Sequence, residues 1–399
     1  MKNMGKYSLI QKVYGWGSSY SHVVLIGEKD LEIPPNYRVY VKRYDKNHNL
    51  IEEGERRVLA TYRSDEKGYK DMLGESGTLE VDINANLSIA SPYYNDPTIW
   101  NDGGGGFLKS WCITEYTIEN LKTKQTWTEL ESVYHPDEEL LDTASFDLDG
   151  IHVPYAYYEP ETKNKTPLIV WLHGVGSGGN DIGFVTGGMQ TTNFVTPEIQ
   201  TIFNQAYILM PQSTTAWLDD GSGKYTTDGT SAYTKAVLAL IHQFIDSHPQ
   251  IDTNRIYLGG CSNGGFMTLN LLLHEPNLFA AAFPVCEAYK DKWLSEEDIK
   301  TLAKIPLWFS HNSDDPVVPY EETALPTYKR LKEAGSKDLH MSVYEKVIDP
   351  DFGNEYLGHF TWVYTLKNMP TLDFDGSPVK VNGKETTLYG WLASHRKKA

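Results

Sequence analysis

The chain is short of cysteine, of long hydrophobic runs and of positive charge, and each shortage excludes a class of protein. Cys112, Cys261 and Cys286 are the only cysteines in 399 residues. They are odd in number, far apart and never in a Cys-x-x-Cys pair, so neither a disulfide framework nor a zinc ribbon can be built from them. No segment approaches the ~20 apolar residues of a membrane span, and Met1 to Lys12 has no apolar core of a secretory leader. The expectation is a cytoplasmic protein with no membrane partner, secretion being the alternative if a leader has been removed. With 36 Lys+Arg against 53 Asp+Glu the net charge is −17, which argues against a nucleic-acid partner, because neutralising phosphates needs basic residues in surplus. Metal patterns are missing too. There is no His-Glu-x-x-His and no His/Asp cluster at ligand spacing, so no metal or organic cofactor is expected. Gly221-Ser222-Gly223-Lys224 resembles a phosphate loop but lacks the earlier glycine and runs into Tyr225.

What is present is enough apolar material, 40% hydrophobic residues and ten Trp, to bury real cores. The length suits two domains, and the pattern divides them. Up to about residue 145, short β-branched or aromatic runs such as Tyr37 to Tyr44, Arg57 to Tyr62, Thr78 to Ile83 and Trp111 to Ile118 are separated by turn residues. They predict an antiparallel all-β sandwich over 1–145. The Gly103 to Gly106 run reads as a loop. Trp16, Tyr93, Tyr94, Trp100 and Trp111 read as core more readily than as a sugar-stacking surface. Charge is uneven: residues 1–70 sum to +4, 71–150 to −13 and 151–399 to −8. Whatever meets the acidic stretch should be neutral or cationic.

From 146 to 399 strand-like runs (Leu168 to Leu172, Ala206 to Met210, Arg255 to Leu258, Ala281 to Val285, Pro306 to Ser310, His340 to Val347) alternate with helical stretches, notably Ala232 to Ser247 and Gly265 to His274. This is the α/β pattern of a doubly wound, mostly parallel sheet covered on both faces. Ligands of such sheets bind where strands end, so the loops after strands hold the chemistry.

After the strand Arg255 to Leu258 comes Gly259-Gly260-Cys261-Ser262-Asn263-Gly264-Gly265 and then a helix. Gly-x-Ser-x-Gly at a strand-to-helix turn places a serine on a tight elbow, with glycines where a Cβ would collide. Ser262 is therefore a candidate nucleophile, and a serine needs a base oriented by an acid. The acid is expected after Pro306 to Ser310, where Asp314 and Asp315 compete. Asp315 is favoured, because the Pro316 to Pro319 run turns the chain away at once. Of the later histidines, His340 reads as a sheet residue and His395 as a solvated helix end. His359, in Gly358-His359-Phe360-Thr361-Trp362 beyond the last strand, is the candidate base. The glycine-rich turn His173-Gly174-Val175-Gly176 after Leu172 offers backbone N–H groups for an oxyanion: Val175 or Gly176, paired with Asn263. His173 is expected to orient that turn. Trp217, Trp293, Trp308 and Trp362 suggest a partly aromatic pocket.

Together the elbow, the HGVGSGG turn, HNSDDPVVP and GHFTW resemble α/β-hydrolase esterases of the polyhydroxybutyrate depolymerase-like and feruloyl-type group. Some members carry an N-terminal immunoglobulin-like domain. The resemblance covers about 150–399 and implies a triad of Ser262, Asp315 and His359, with Gln212 and Trp217 bordering the substrate pocket. It also implies that a loop of the front domain walls that pocket and that the front domain supports a homo-oligomer. Cys261 before the nucleophile and Asn312 in place of a glycine depart from the family pattern. The expected activity is hydrolysis of short-chain or aromatic acyl esters, the substrate being a small-molecule ester. The rivals are a prolyl-oligopeptidase-type serine peptidase and a carbohydrate-binding protein with subordinate esterase activity.

Overall fold

The computed structural model describes residues 4–101 and 107–397; the predicted Gly103 to Gly106 loop lies outside them. In Tyr37–Tyr44 every second residue, Tyr37, Val39, Val41 and Arg43, is buried, the period of two that a half-buried strand requires. The chain divides into two units, one of Met1–Asp96 with Lys109–Glu139, the other of Pro97–Leu108 with Leu140–Ala399.

The first unit is built from strands β1 (Met4–Tyr14), β2 (Gly17–Leu25), β3 (Tyr37–Tyr44), β4 (Leu50–Arg56), β5 (Val58–Ser64) and β6 (Ser76–Val81). It continues through β7 (Tyr93–Asn101) and β8 (Phe107–Trp111), each of which is divided between the two units, and through β9 (Ile113–Asn120) and β10 (Thr126–Tyr134). Eight of these form one sheet in the order β4-β3-β9-β10-β1-β2-β6-β5, with β7 paired to β8 separately. The antiparallel expectation needs one correction, since β1 runs parallel to β10. That pairing joins the two ends of the unit and has no local signature in either strand. Leu9, Val23, Val39, Leu79, Ile118 and Trp127 fill the core. Inside it the guanidinium of Arg56 is satisfied by the Tyr116 hydroxyl and the Tyr20 carbonyl, both at 3.0 Å, and by Asp82. A buried cation survives only with such partners. Trp16, Tyr93, Tyr94 and Trp111 are half-buried and are not among the residues of this core; Trp16 stacks on Tyr14 and Tyr93 meets Trp111 edge-on, while the side chain of Trp100 lies outside the described residues.

The second unit holds an eight-stranded sheet in the order β11-β12-β14-β13-β15-β16-β17-β18. Its members are β11 (Asp142–Leu148), β12 (Ile151–Tyr158), β13 (Thr166–Leu172), β14 (Tyr207–Pro211), β15 (Ile251–Cys261), β16 (Ala281–Val285), β17 (Leu307–Asn312) and β18 (Leu339–Tyr344). The six strands from β14 to β18 across the sheet are parallel, while β11 and β12 pair antiparallel at one edge. Because β11 belongs here, the division falls at Glu139/Leu140 and not at 145. Helices α1 (Gly183–Thr186), α2 (Pro197–Phe203), α3 (Thr234–Ser247), α4 (Asn263–His274), α5 (Glu296–Leu302), α6 (Ala324–Glu333), α7 (Trp362–Leu366) and α8 (Leu388–Ser394) connect or cover the strands. The strand order reverses around β13, which lies between β14 and β15. Chains leaving β13 and β15 therefore diverge there and open a crevice at their carboxyl ends.

The C-terminal histidines are less exposed than their sequence context suggests. His340 of β18 places Nδ1 at 2.7 Å from Asp373 and Nε2 at 3.3 Å from Asp338. His395 is 2.8 Å from the other oxygen of Asp338, which corrects its reading as a solvated helix end. The Asp373–His340–Asp338–His395 chain ties the segment after α7 and the end of α8 to the sheet.

Candidate active site

Strand β15 ends in Cys261, and α4 begins at Asn263. Ser262 between them has φ 57° and ψ −117°, a conformation unfavourable for any residue with a Cβ. The turn is over-determined by its neighbours: Ser262 N–H donates to the Val285 carbonyl at 2.9 Å, and its own carbonyl accepts from Phe266 and Ala288. Glycine is needed at both flanking positions for lack of space. A Cβ on Gly264 would lie 2.0 Å from the Leu172 carbonyl oxygen, and one on Gly260 would lie 2.5 Å from that of Gly264.

The structure brings Ser262, His359 and Asp315 together from three loops. His359 Nε2 is 2.9 Å from Ser262 Oγ, and its Nδ1 is 2.7 Å from Asp315 Oδ2. Asp315 Oδ1 accepts from the N–H groups of Val317 at 2.8 Å and Val318 at 3.0 Å, so the turn through Pro316 itself holds the carboxylate. Asp314 is exposed and takes no part in this chain. Burial pushes the Asp315 carboxyl up, but hydrogen bonds from His311 and His359 outweigh it and hold the group well below the usual carboxylate range. Asp315 is thus an anion at neutral pH, which fixes the proton on His359 Nδ1 and leaves Nε2 to accept from the serine.

Gly174, just before Val175 and Gly176, lies against Cys261 and Ser262, a Cβ built on it falling 3.7 Å from that of Ser262, and Asn263 follows Ser262 in the chain. Val175 and Gly176 open the short 3-10 turn Val175–Ser177, and Asn263 is the first residue of α4. Among the described residues no acceptor is found for the backbone N–H of any of these three, whereas that of Ser177 is taken by Gly174. The N-terminus of the twelve-residue α4 adds the positive end of a helix dipole. His173 orients this turn: its Nδ1–H donates to the Gly174 carbonyl at 2.6 Å, and its Nε2 accepts from Ser213 N–H at 3.0 Å. Burial brings its pKa down to about 4, so the ring is neutral and holds that one tautomer.

Gln212 and Trp217 are not where the resemblance implies. Both are fully buried. Gln212 Nε2 clamps the Ser177 and Asp181 carbonyls at 2.9 and 2.8 Å. Trp217 gives its backbone N–H to Asn263 Oδ1 at 2.6 Å and its indole N–H to the His173 carbonyl at 3.1 Å. They brace the N–H-bearing turn from behind and present no surface to a substrate. Trp362 is 9% exposed and stands edge-on to His359 with centroids 5.5 Å apart; Phe360 packs on it at 4.5 Å. Trp308 lies elsewhere, bonded to Ser342 and packed on Trp391, and Trp293 packs against Phe266 and Tyr289. Leu108, fully buried and part of the second unit, packs beside Gly178 and Gly179.

Two buried groups escaped the sequence reading. Glu287, just past β16, is fully buried; its Oε2 accepts from Tyr289 N–H at 2.6 Å, and burial drives its carboxyl well above the usual carboxylate range. His311, at the end of β17, lies 3.5 Å from Asp315. Nothing in local sequence marks either, because each matters through what folds against it. Cys286, Asp315 and His359 bring their donor atoms within 4.8 Å of one another, but two of the three are engaged in the hydrogen-bonded chain to Ser262 and burial holds the thiol protonated. That set is read as part of the triad's surroundings and not as a metal centre.

A nucleophile elbow at the switch point of a parallel sheet defines the class as an α/β-hydrolase, and the comparisons agree. Residues 155–350 match the phospholipase/carboxylesterase family, and residues 6–132 match the esterase immunoglobulin-like N-terminal domain. The two matches support a carboxylesterase of the α/β-hydrolase fold with an esterase-type immunoglobulin-like domain in front. A thermostable esterase shares its fold over 98% of this chain and 99% of that one, with TM-score 0.73 and 23% identity. An acylaminoacyl peptidase (TM-score 0.44, 16% identity, 92% of this chain and 64% of that one) and an S-formylglutathione hydrolase from Agrobacterium tumefaciens (0.42, 13%, 56% and 90%) are more distant. No curated protein matches the chain.

Proposed function

We propose that this carboxylesterase works through Ser262, His359 and Asp315 by way of an acyl-enzyme, on esters with short-chain or aromatic acyl groups. The observation that carries the reading is the unbroken chain from Ser262 Oγ through His359 to Asp315, at 2.9 and 2.7 Å. His359 Nε2 takes the proton of Ser262 as Oγ attacks the ester carbonyl, and Asp315 stabilises the imidazolium that forms. The carbonyl oxygen becomes an oxyanion that the N–H groups of Asn263 and of Val175 or Gly176 receive, each such donor contributing about 3 kcal/mol in the transition state. His359 then returns the proton to the leaving alcohol. Water enters, gives a proton to the same nitrogen, and releases the acid by the reverse sequence.

The acyl preference rests on Trp362 and Phe360, whose rings stand beside the base and offer a flat apolar contact to an aryl or short alkyl group. The test is a panel of p-nitrophenyl esters from acetate to laurate plus methyl ferulate, with an aminoacyl-proline amide as the peptidase control. Turnover should be highest for acetate, butyrate or ferulate, and Ser262→Ala should lower kcat by about 10⁴ or more. Full activity in Ser262→Ala defeats the mechanism. A preference for laurate or for the amide defeats the substrate reading alone.

A further inference from the structure

His311 is fully buried at the end of β17, four residues before Asp315. Its Nε2 is 3.1 Å from the Val318 carbonyl oxygen and 3.5 Å from Asp315 Oδ2, while its Nδ1 has no partner among the described residues. A carbonyl oxygen can only accept, so Nε2 is the nitrogen that carries the proton. Nδ1 has nothing to donate to, and an unpaired N–H or a charge there would be costly in a buried ring, so it keeps its lone pair. The ring therefore gives its N–H to the Val318 carbonyl, with Asp315 Oδ2 beside that same N–H at 3.5 Å. The oxygen it faces is the one that accepts from His359 at 2.7 Å.

One peptide unit ties the arrangement together. Val318 N–H donates to Asp315 Oδ1 at 3.0 Å, and the Val318 carbonyl receives His311. The Tyr320 ring, with its centroid 5.5 Å away, packs against the imidazole. Asp315 and Tyr320 are the titratable groups facing it, and Tyr320 is pushed up to about 12 by burial, so Asp315 is the charge that His311 meets at neutral pH.

We propose that His311 is a positioning residue of the hydrolytic site: its Nε2–H, locked in that tautomer by the Val318 carbonyl, keeps Asp315 Oδ2 in line with His359 and shares that oxygen's charge. The proposal rests on the triad reading above. It adds that the carboxylate's charge is divided between two imidazoles, so His311 sets how much of it reaches His359. Loss of the His311 donor should move the acid limb of kcat/KM upward, which a merely structural defect does not do.

Two measurements test this. Histidine ¹⁵N spectra of the wild-type protein at pH 7.5, with His311 assigned by its disappearance in His311→Gln, should show a ring protonated at Nε2 and bare at Nδ1. An Nδ1–H tautomer overturns the proposal without touching the triad reading, which Ser262→Ala decides separately. Kinetically, the Gln amide can occupy the Nε2 position, so His311→Gln should stay within about threefold of wild type, with its acid limb in place. His311→Leu should lose about tenfold in kcat at nearly unchanged KM, and its acid limb should rise by about half a pH unit. Equal losses in both variants with an unmoved limb overturn the proposal. If the Leu variant does not fold, a loss beyond tenfold in His311→Gln does so alone.

Discussion

Replacing Asp315 by Asn is the substitution whose outcome the structure constrains most closely. Asp315 Oδ1 accepts two backbone N–H groups, from Val317 and Val318. An amide NH₂ cannot occupy that position without facing two donors, so the Asn side chain must put its oxygen there and its NH₂ where Oδ2 now meets His359. A donor at that point forces His359 to hold its proton on Nε2, and the nitrogen that should accept from Ser262 carries a hydrogen. Asp→Asn at the corresponding position of a serine protease costs about 10⁴ in kcat for this reason, or roughly 5.5 kcal/mol of transition-state stabilisation. The same loss is expected here, with KM for p-nitrophenyl butyrate within about twofold, because the defect is in proton transfer and not in binding. The assay is steady-state hydrolysis at pH 7.5, with a melting curve to show that the fold persists. Asp314→Asn is the control; Asp314 is exposed and bonds only its own turn through Asn312, so activity within twofold of wild type is expected. A tenth or more of wild-type kcat in Asp315→Asn, or an equal loss in Asp314→Asn, would refute the argument.

Other outcomes follow from the same geometry. Burial pushes the His340 pKa down, but Asp338 and Asp373 outweigh it and raise it to about 9, above the unfolded value of ~6.5. The stability it contributes, on the order of 2 kcal/mol, is therefore complete below about pH 6.5 and lost as pH rises toward 9. Thermal melting should show a fall of about 5 °C across that window, and His340→Gln should flatten it. Trp217→Phe keeps an aromatic ring but removes the indole N–H bonded to the His173 carbonyl; a fall of about three- to tenfold in kcat with KM unchanged is expected, and a KM effect alone would return Trp217 to the substrate pocket. Gly264→Ala should yield protein that is destabilised by several kcal/mol or insoluble, since its Cβ would lie 2.0 Å from the Leu172 carbonyl; a melting curve like that of wild type would contradict the close packing. Trp362→Ala should raise KM for methyl ferulate more than for acetate esters, and equal changes would remove it from the acyl site.

The site was legible where chemistry is written locally. Gly260-Cys261-Ser262-Asn263-Gly264 between a strand and a helix states its own geometry, because a tight turn, a required absence of Cβ atoms and a helix start all fall within five residues. His359 and the Asp314/Asp315 pair could be found because a serine needs a base and an acid, and strand ends are few. The errors have the opposite character. Gln212 and Trp217 were placed on a surface from resemblance, yet their hydrogen bonds run to Ser177, Asp181, His173 and Asn263, partners 31 to 46 residues away. His395 looked solvated because Asp338, its partner, is 57 residues distant.

By itself the sequence determined the order of elements, the α/β class of the second unit, the elbow at Ser262 and the need for an acid and a base after it, since periodicity, turn chemistry and chain order are local properties. Only the tertiary structure decided which of two adjacent aspartates faces His359, that β1 lies parallel to β10, and that His311 stands 3.5 Å from the carboxylate that meets the base. Each of those is a question of which buried polar group or strand edge finds a partner. The answer depends on distances between residues far apart along the chain, and those exist only once it has folded.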